Sequence, residues 1–371
     1  MKESELCKKC EGCTLCAMIC PVSAISMKAN SKGFYIPCID QKKCIDCKKC
    51  VHTCEKKAKN FRNIKTIWAA KTKKMDDLKK SSSGGMFSIF SEYFLKNKGC
   101  IYGAILDNDF NVVHERTDNV QGRNLMRGSK YVQSDLKNIF RFIEKDLMEG
   151  RPVMFTGTPC QVDAIQIYIE SKNISMNNLF TCELICNGVS SPKIWSKYVN
   201  SYIGKNRIQD IKFRFKHPKI NGSVFAVMKK NGIIDISGYY SQLYTSKLCM
   251  NDICYECKYT KRTRVADVTI GDLQGTIVEE LPEELREESS IVLINSKKGK
   301  DIWQAVKENC ITKQLGNEYT QERLSCACRK PKEIDDFWND YKKMNIRKLL
   351  RKYTEKSIIE DIRCFKNRIK I

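Results

Sequence analysis

Cys10, Cys13, Cys16 and Cys20 follow the spacing C-x2-C-x2-C-x3-C, and the same spacing returns 34 residues later as Cys44, Cys47, Cys50 and Cys54. Three thiolates two residues apart can wrap one face of an iron–sulfur cube, while the fourth reaches a neighbouring cube. The pattern therefore predicts two 4Fe–4S clusters. One is held by Cys10, Cys13, Cys16 and Cys54, the other by Cys44, Cys47, Cys50 and Cys20. The fourth Cys of each run is expected to start a short helix. Pro21 follows the first run and Glu55 takes that place in the second. Zinc is the competing chemistry, but zinc sites usually pair two CxxC knuckles or add His. Cys7 offers a shifted register that leaves Cys16 one residue short, and Cys38 is left over.

The two runs recur in tandem with Lys32–Pro37 between them, read as a turn and a short strand. A basic stretch from Lys56 to Lys80 reads as the link to the rest. Strands are expected at Ile101–Leu106, Asn111–His114, Val153–Thr156, Leu179–Ile185, Ile211–Phe215, Ser223–Met228, Val268–Gly271 and Ile291–Asn295. Helices are expected at Met86–Lys96, Asp135–Met148, Gln161–Glu170, Pro192–Tyr202 and Lys300–Asn309. Mixed elements predict an α+β or α/β body behind a small two-cluster N-terminal domain. The expected division is 1–62, 66–332 and a basic helical tail at 333–371. That tail reads as a solvated face or a docking helix.

The chain has 371 residues, 42% of them hydrophobic, which allows two or three domains and excludes general disorder. No apolar run is long enough to span a membrane, and the first residues lack a secretory apolar core. The expected location is the cytoplasm, where 21 Cys point to metal or redox chemistry rather than disulfides. The formal charge of +23 would suit nucleic acid. No reader motif accompanies it, and three cubanes at about −2 each would leave roughly +17. Nucleic acid is therefore not an expected partner.

Ser81-Ser82-Ser83-Gly84-Gly85 precedes an apolar helix and offers free N–H groups, as a pyrophosphate needs or as a plain N-cap would. With it, SSSGGMF, RGSKYVQSDL, FTGTPCQVDAI, ELICNGVSSPKIW and CYECKYTKRTRVADVTIGDLQG occur in that order. Together these blocks resemble the β-subunit family of coenzyme F420 hydrogenases and dehydrogenases, over about Trp68 to Ser296. The N-terminal runs resemble a bacterial-type two-cluster ferredoxin domain.

The resemblance implies FAD, contacted at Ser83, Gly84, Gly85, Ser129, Lys130 and Tyr131. It also implies a third 4Fe–4S cluster on Cys160, Cys186, Cys254 and Cys257, with Cys182 and Cys249 as competitors. The expected function is an iron–sulfur flavoprotein oxidoreductase. It would pass electrons between a ferredoxin- or flavodoxin-like carrier and FAD, with hydride transfer to or from an organic acceptor such as coenzyme F420. The alternative is an electron-transfer subunit serving a separate catalytic chain. Lysines 42, 43, 48, 49, 56, 57 and 59 would steer an acidic carrier. Only His52, His114 and His217 are available for acid–base work, and Lys130, Tyr131 and Asp272 are candidate orienting groups.

Overall fold

The computed structural model describes residues 10–216, 223–236, 238–354 and 369–370; Cys7 and His217 lie outside them. The described chain runs α1 (Leu15–Ile19), β1 (Ile25–Ala29), β2 (Tyr35–Ile39), α2 (Lys49–Glu55), β3 (Thr66–Thr72), α3 (Met75–Lys79), α4 (Met86–Lys96), β4 (Cys100–Leu106), β5 (Val112–Thr117), α5 (Val120–Met126), α6 (Ile139–Met148), β6 (Val153–Gly157) and α7 (Pro159–Ser171). It continues as β7 (Leu179–Leu184), α8 (Pro192–Lys197), β8 (Ile208–Phe215), β9 (Val224–Lys229), β10 (Ile233–Ile236), α9 (Tyr239–Thr245), β11 (Val268–Asp272), α10 (Glu283–Arg286), β12 (Ser290–Ile294), α11 (Lys297–Val306), β13 (Cys310–Leu315), α12 (Ile334–Lys343), α13 (Ile346–Tyr353) and β14 (Ile369–Lys370).

The body is built on an eight-stranded mixed sheet in the order β13-β3-β12-β11-β7-β6-β4-β5. β4, β6, β7 and β11 are parallel neighbours. β12 runs against both β11 and β3, so β3 shares the direction of the parallel set. Alternation along β6 shows why helices cover both faces. Val153 and Phe155 pack with α6 and α7, while Met154 packs with α4 and Trp303 of α11. A separate four-stranded sheet, β14-β10-β9-β8, packs beside α8, α9 and the two tail helices around Trp195, Phe213, Tyr240 and Phe337. The mixed α/β body matches the sequence expectation, whereas the tail expected to be helical over 333–371 is helical in α12 and α13 and then supplies the strand β14, with 355–368 outside the described residues.

Two expectations are corrected. The basic stretch 56–80 is not merely a link, because β3 lies inside the large sheet with Ile67, Ala69 and Ala70 fully buried. The fourth Cys of neither run starts a helix, since Cys20 closes α1 and Cys54 is the penultimate residue of α2. The helix expected from Asp135 begins at Ile139, and the one from Pro192 passes into a wider π-type turn over Tyr198–Ile203. Among the described residues no helix is long and apolar enough to cross a membrane.

The N-terminal module lies directly on the body. Leu15 is buried against the α6–α7 core. Gln133 reaches across, donating to the Glu11 carbonyl at 3.1 Å and accepting from the Tyr35 N–H at 3.1 Å. Asn251 donates to the Cys10 carbonyl at 3.2 Å, and Lys32 forms an ion pair with Asp252.

Candidate functional site: three adjoining cavities

The cysteine repeat is also a repeat in backbone conformation. Gly12 and Thr14 have φ of 70° and 66°, and their counterparts 34 residues on, Asp46 and Lys48, have φ of 52° and 56°. Left-handed backbone costs a non-glycine residue about 1–2 kcal/mol. Repeating it between successive cysteines turns thiols and N–H groups inward, the concavity that holds iron–sulfur clusters. Gly12 N–H points at Cys10 Sγ at 3.3 Å, and Ala24 N–H at Cys20 Sγ at 3.3 Å.

Cys10, Cys13, Cys16 and Cys54 line one cavity together with Leu15, Met27 and Lys57, the set drawn from spacing. Burial pushes the Cys10 thiol up to about 12, helped by Cys13, and raises Cys13 and Cys16 as well. Thiolates persist in such surroundings when a cation neutralises them, so this donor set suits a bound metal centre. Of the second set, Cys20, Cys44 and Cys50 pack around Ile25 and Ile39, with Cys20 and Cys47 acting electrostatically on Cys50. Cys47 is exposed, and so is its neighbour Ile45 at 61%. Among the described residues, no three His, Cys, Asp or Glu groups converge on the position of a single ion.

The body delivers its chemistry along one sheet edge. The carboxyl ends of β3, β6, β7 and β11 lead respectively to the Ser81–Gly85 loop, Cys160, Cys186 and Asp272. Ligands in open α/β sheets gather there. Cys160, Cys186, Cys254 and Cys257 line a second cavity. Burial raises all four thiols, Cys186 to about 11. Gly188, at φ 94°, lets its loop come close to Cys254, and its N–H points at Cys186 Sγ at 3.3 Å. The competitors fall elsewhere. Cys182 is buried in the sheet core, and Cys249 donates to the Leu243 carbonyl. A fifth thiol, Cys328, lines the same cavity with its Sγ 3.3 Å from the Cys254 carbonyl. Sequence reasoning passed over it, because it lies far from any spaced run.

A third cavity of about 260 Å³ is lined by Ser81–Ser83, Gly85, Arg127–Tyr131, His114, Ser134, Arg214 and Asp272. The two serine-bearing segments meet there, with Ser129 N–H donating to Ser82 Oγ at 2.8 Å. Ser83 donates to the Ser289 carbonyl at 2.8 Å. Gly84, expected as a contact, does not line this cavity: a Cβ on it would lie 2.4 Å from the Ala70 carbonyl oxygen and its N–H donates to Ser290 Oγ at 2.9 Å, whereas Gly85 lines it with a left-handed φ of 84° as α4 opens without a side-chain cap. Arg127 pairs with Asp77 through Nη2, while its buried Nε has no partner. The uncapped helix start and the left-handed Gly85 border the cavity, a setting that suits a phosphate-bearing ligand.

The Lys130 ammonium turns away instead, capping α5 through the carbonyls of Leu125, Met126, Arg127 and Gly128. Burial lowers it to about 7. Tyr131 stacks on Tyr244 with centroids 4.4 Å apart, and Arg214 pairs with Asp272. His114 is fully buried. Its Nε2 donates to the Thr156 carbonyl at 3.1 Å, so Nδ1 accepts from Ser134 Oγ at 2.6 Å. His52 is exposed beside Glu55.

Residues 150–317 match the family model for the C terminus of the coenzyme F420 hydrogenase/dehydrogenase beta subunit. Residues 9–58 match a 4Fe-4S dicluster domain. No curated protein matches the chain. A solved structure of the F420-reducing [NiFe] hydrogenase complex from Methanosarcina barkeri, derivatised with xenon, aligns at 20% identity and a TM-score of 0.49. The alignment covers 78% of this chain and 91% of that one.

Proposed function

We propose that this chain, which joins a 4Fe-4S dicluster domain to the C-terminal region of the F420 hydrogenase/dehydrogenase beta subunit, is an iron–sulfur flavoprotein oxidoreductase. The observation that carries the reading is the meeting of the three cavities. Glu11 lines all of them, and Cys160 and Cys186 line both the body thiol cavity and the large one. Bound there, 4Fe–4S clusters would supply one-electron transfer and FAD would couple it to hydride exchange with an organic acceptor such as coenzyme F420.

In this reading Cys10, Cys13, Cys16 and Cys54 hold the first cluster, and Cys20, Cys44, Cys47 and Cys50 the second. Cys160, Cys186, Cys254 and Cys257 hold the third. Ser83, Gly85, Ser129 and Tyr131 shape the flavin cavity, with Gly84 packing its loop against β3 and β12 and Lys130 holding the α5 end in place. Gly128, at φ 80°, gives the loop after α5 its turn. The division at 62/66 and 332/333 belongs to the same proposal.

The exposed surface around Cys47 supports docking of a small electron carrier. Ile45 supplies an apolar contact, and Lys42, Lys43, Lys48 and Lys49 are all exposed around it. Charges so placed steer an acidic ferredoxin or flavodoxin. Lys57 drops out of the expected steering set, because it is buried.

Anaerobic purification with iron, sulfide and flavin counts tests the reading. About twelve Fe and one FAD per chain are expected, following three cubanes. About eight Fe would leave the body cysteines as structural thiols. Reduction of coenzyme F420 or a flavin-accepting dye by the isolated chain supports an enzyme. Activity that appears only with an added partner chain would make this one an electron-transfer subunit.

A further inference from the structure

Lys57 lies three residues beyond Cys54, in a stretch whose other lysines, Lys56 and Lys59, face solvent. Its own side chain is only 6% exposed and that of its partner Glu11 18%. The Lys57 ammonium donates to Glu11 Oε2 and, at 2.9 Å, to the backbone carbonyl of Cys160. It also faces the ring of Tyr259, with 5.9 Å to the centroid. Tyr259 in turn donates to Asp163 Oδ2 at 2.7 Å, and the same oxygen accepts from the Ala58 N–H at 2.8 Å. Lys57 thus lines the cavity of Cys10, Cys13, Cys16 and Cys54 while its ammonium touches Cys160, which lines the body cavity.

A buried ion pair is a weak source of stability, because desolvation offsets much of the attraction. Its placement is better explained by what it does to neighbouring charge. An electron arriving on a cluster adds negative charge, and a fixed cation in a low-dielectric interior stabilises that charge over several ångströms. The lysines beside the second cysteine set, Lys48 and Lys49, are exposed to solvent, unlike Lys57.

We propose that Lys57 and Glu11 form an electrostatic bridge that sets the potentials of the first N-terminal cluster and the body cluster together, leaving the second cluster unaffected. Lys57 favours the added electron at both sites and Glu11 opposes it. Both act as positioning residues, working through the clusters without ligating them. The inference rests on the iron–sulfur assignment above.

Potentiometric EPR titration of the anaerobically prepared holoprotein tests it, on wild type and on the Lys57→Met, Lys57→Arg and Glu11→Gln variants. Lys57→Met lowers the midpoints of the first and body clusters by on the order of tenfold in the one-electron equilibrium, about 59 mV. Lys57→Arg returns them towards wild type. Glu11→Gln raises the same two, and decides the matter if Lys57→Met fails to load its clusters. In every variant the second cluster keeps its midpoint. Unmoved midpoints, or equal shifts at all three clusters, would overturn the proposal. A wild-type preparation with about eight Fe removes the underlying assignment instead, and is recognised before any variant is made.

Discussion

The backbone N–H of Ser129 donates to Ser82 Oγ at 2.8 Å, and the two hydroxyls stand 3.1 Å apart, so two loops 47 residues apart in sequence close one wall of the large cavity. Ser82→Ala removes the partner of the half-buried Ser129 N–H, at about 0.5–1.5 kcal/mol for one hydrogen bond. The expected result is weaker flavin retention, read by released fluorescence on dilution, with the iron content unchanged.

Gly84→Ala is expected to strike the backbone of β3 and β12. The added Cβ would lie 2.4 Å from the Ala70 carbonyl oxygen and 2.7 Å from Ser290 N. Neither neighbour is a flexible side-chain end, so a loss of about 1–3 kcal/mol follows from overpacking. Thermal unfolding measures it. Gly84 is not among the left-handed glycines, so the loss comes from the clash and not from backbone strain.

Burial pulls the His114 imidazole down to about 4, against a usual value near 6.5. The unfolded chain therefore binds this proton more readily than the folded one. The stability His114 gives is whole above pH ~6.5 and is lost progressively as pH falls towards ~4, by about 3 kcal/mol in all. His114→Gln is expected to flatten that part of the stability–pH curve. An unchanged slope in chemical denaturation between these limits would mean that His114 is not held neutral.

Cys20→Ser separates the crossed ligand sets. If the fourth cysteine of each run serves the opposite cluster, this variant loses about four Fe from the second cluster and keeps the EPR signal of the first. Loss of the first signal with the second retained would show that each run holds its own cluster.

Reversing charge at Lys42 and Lys48 to Glu is expected to slow reduction by an acidic carrier and to weaken the salt dependence of that rate. The rate with a neutral small-molecule reductant is expected to stay the same. Stopped-flow traces at two ionic strengths distinguish the cases.

What could be read in the sequence was whatever carries local signal. The cysteine spacing placed Cys10, Cys13, Cys16 and Cys54 around one cavity. The β-branched runs marked the parallel strands β4, β6, β7 and β11. β3 was missed because Ile67–Ala70 is a short apolar run among Lys65, Lys71, Lys73 and Lys74, and only β12 and β13 on either side make it interior. β13 was missed for a related reason. It pairs with β3 alone, and its burial is confined mainly to Cys310 and Leu315. Cys328 and the buried Lys57 depend on tertiary contacts with distant residues, Cys254 and Cys160, and nothing near either one in sequence announces them.

Because β3 is an interior strand that begins just beyond the cysteine module, and the module is itself fastened through Gln133, Asn251 and Leu15, the first cavity has no swinging arm to carry it. If the proposed clusters occupy these cavities, electrons would pass between them without the module leaving the body, and a viscous solvent would slow electron transfer only through the diffusion of outside reactants.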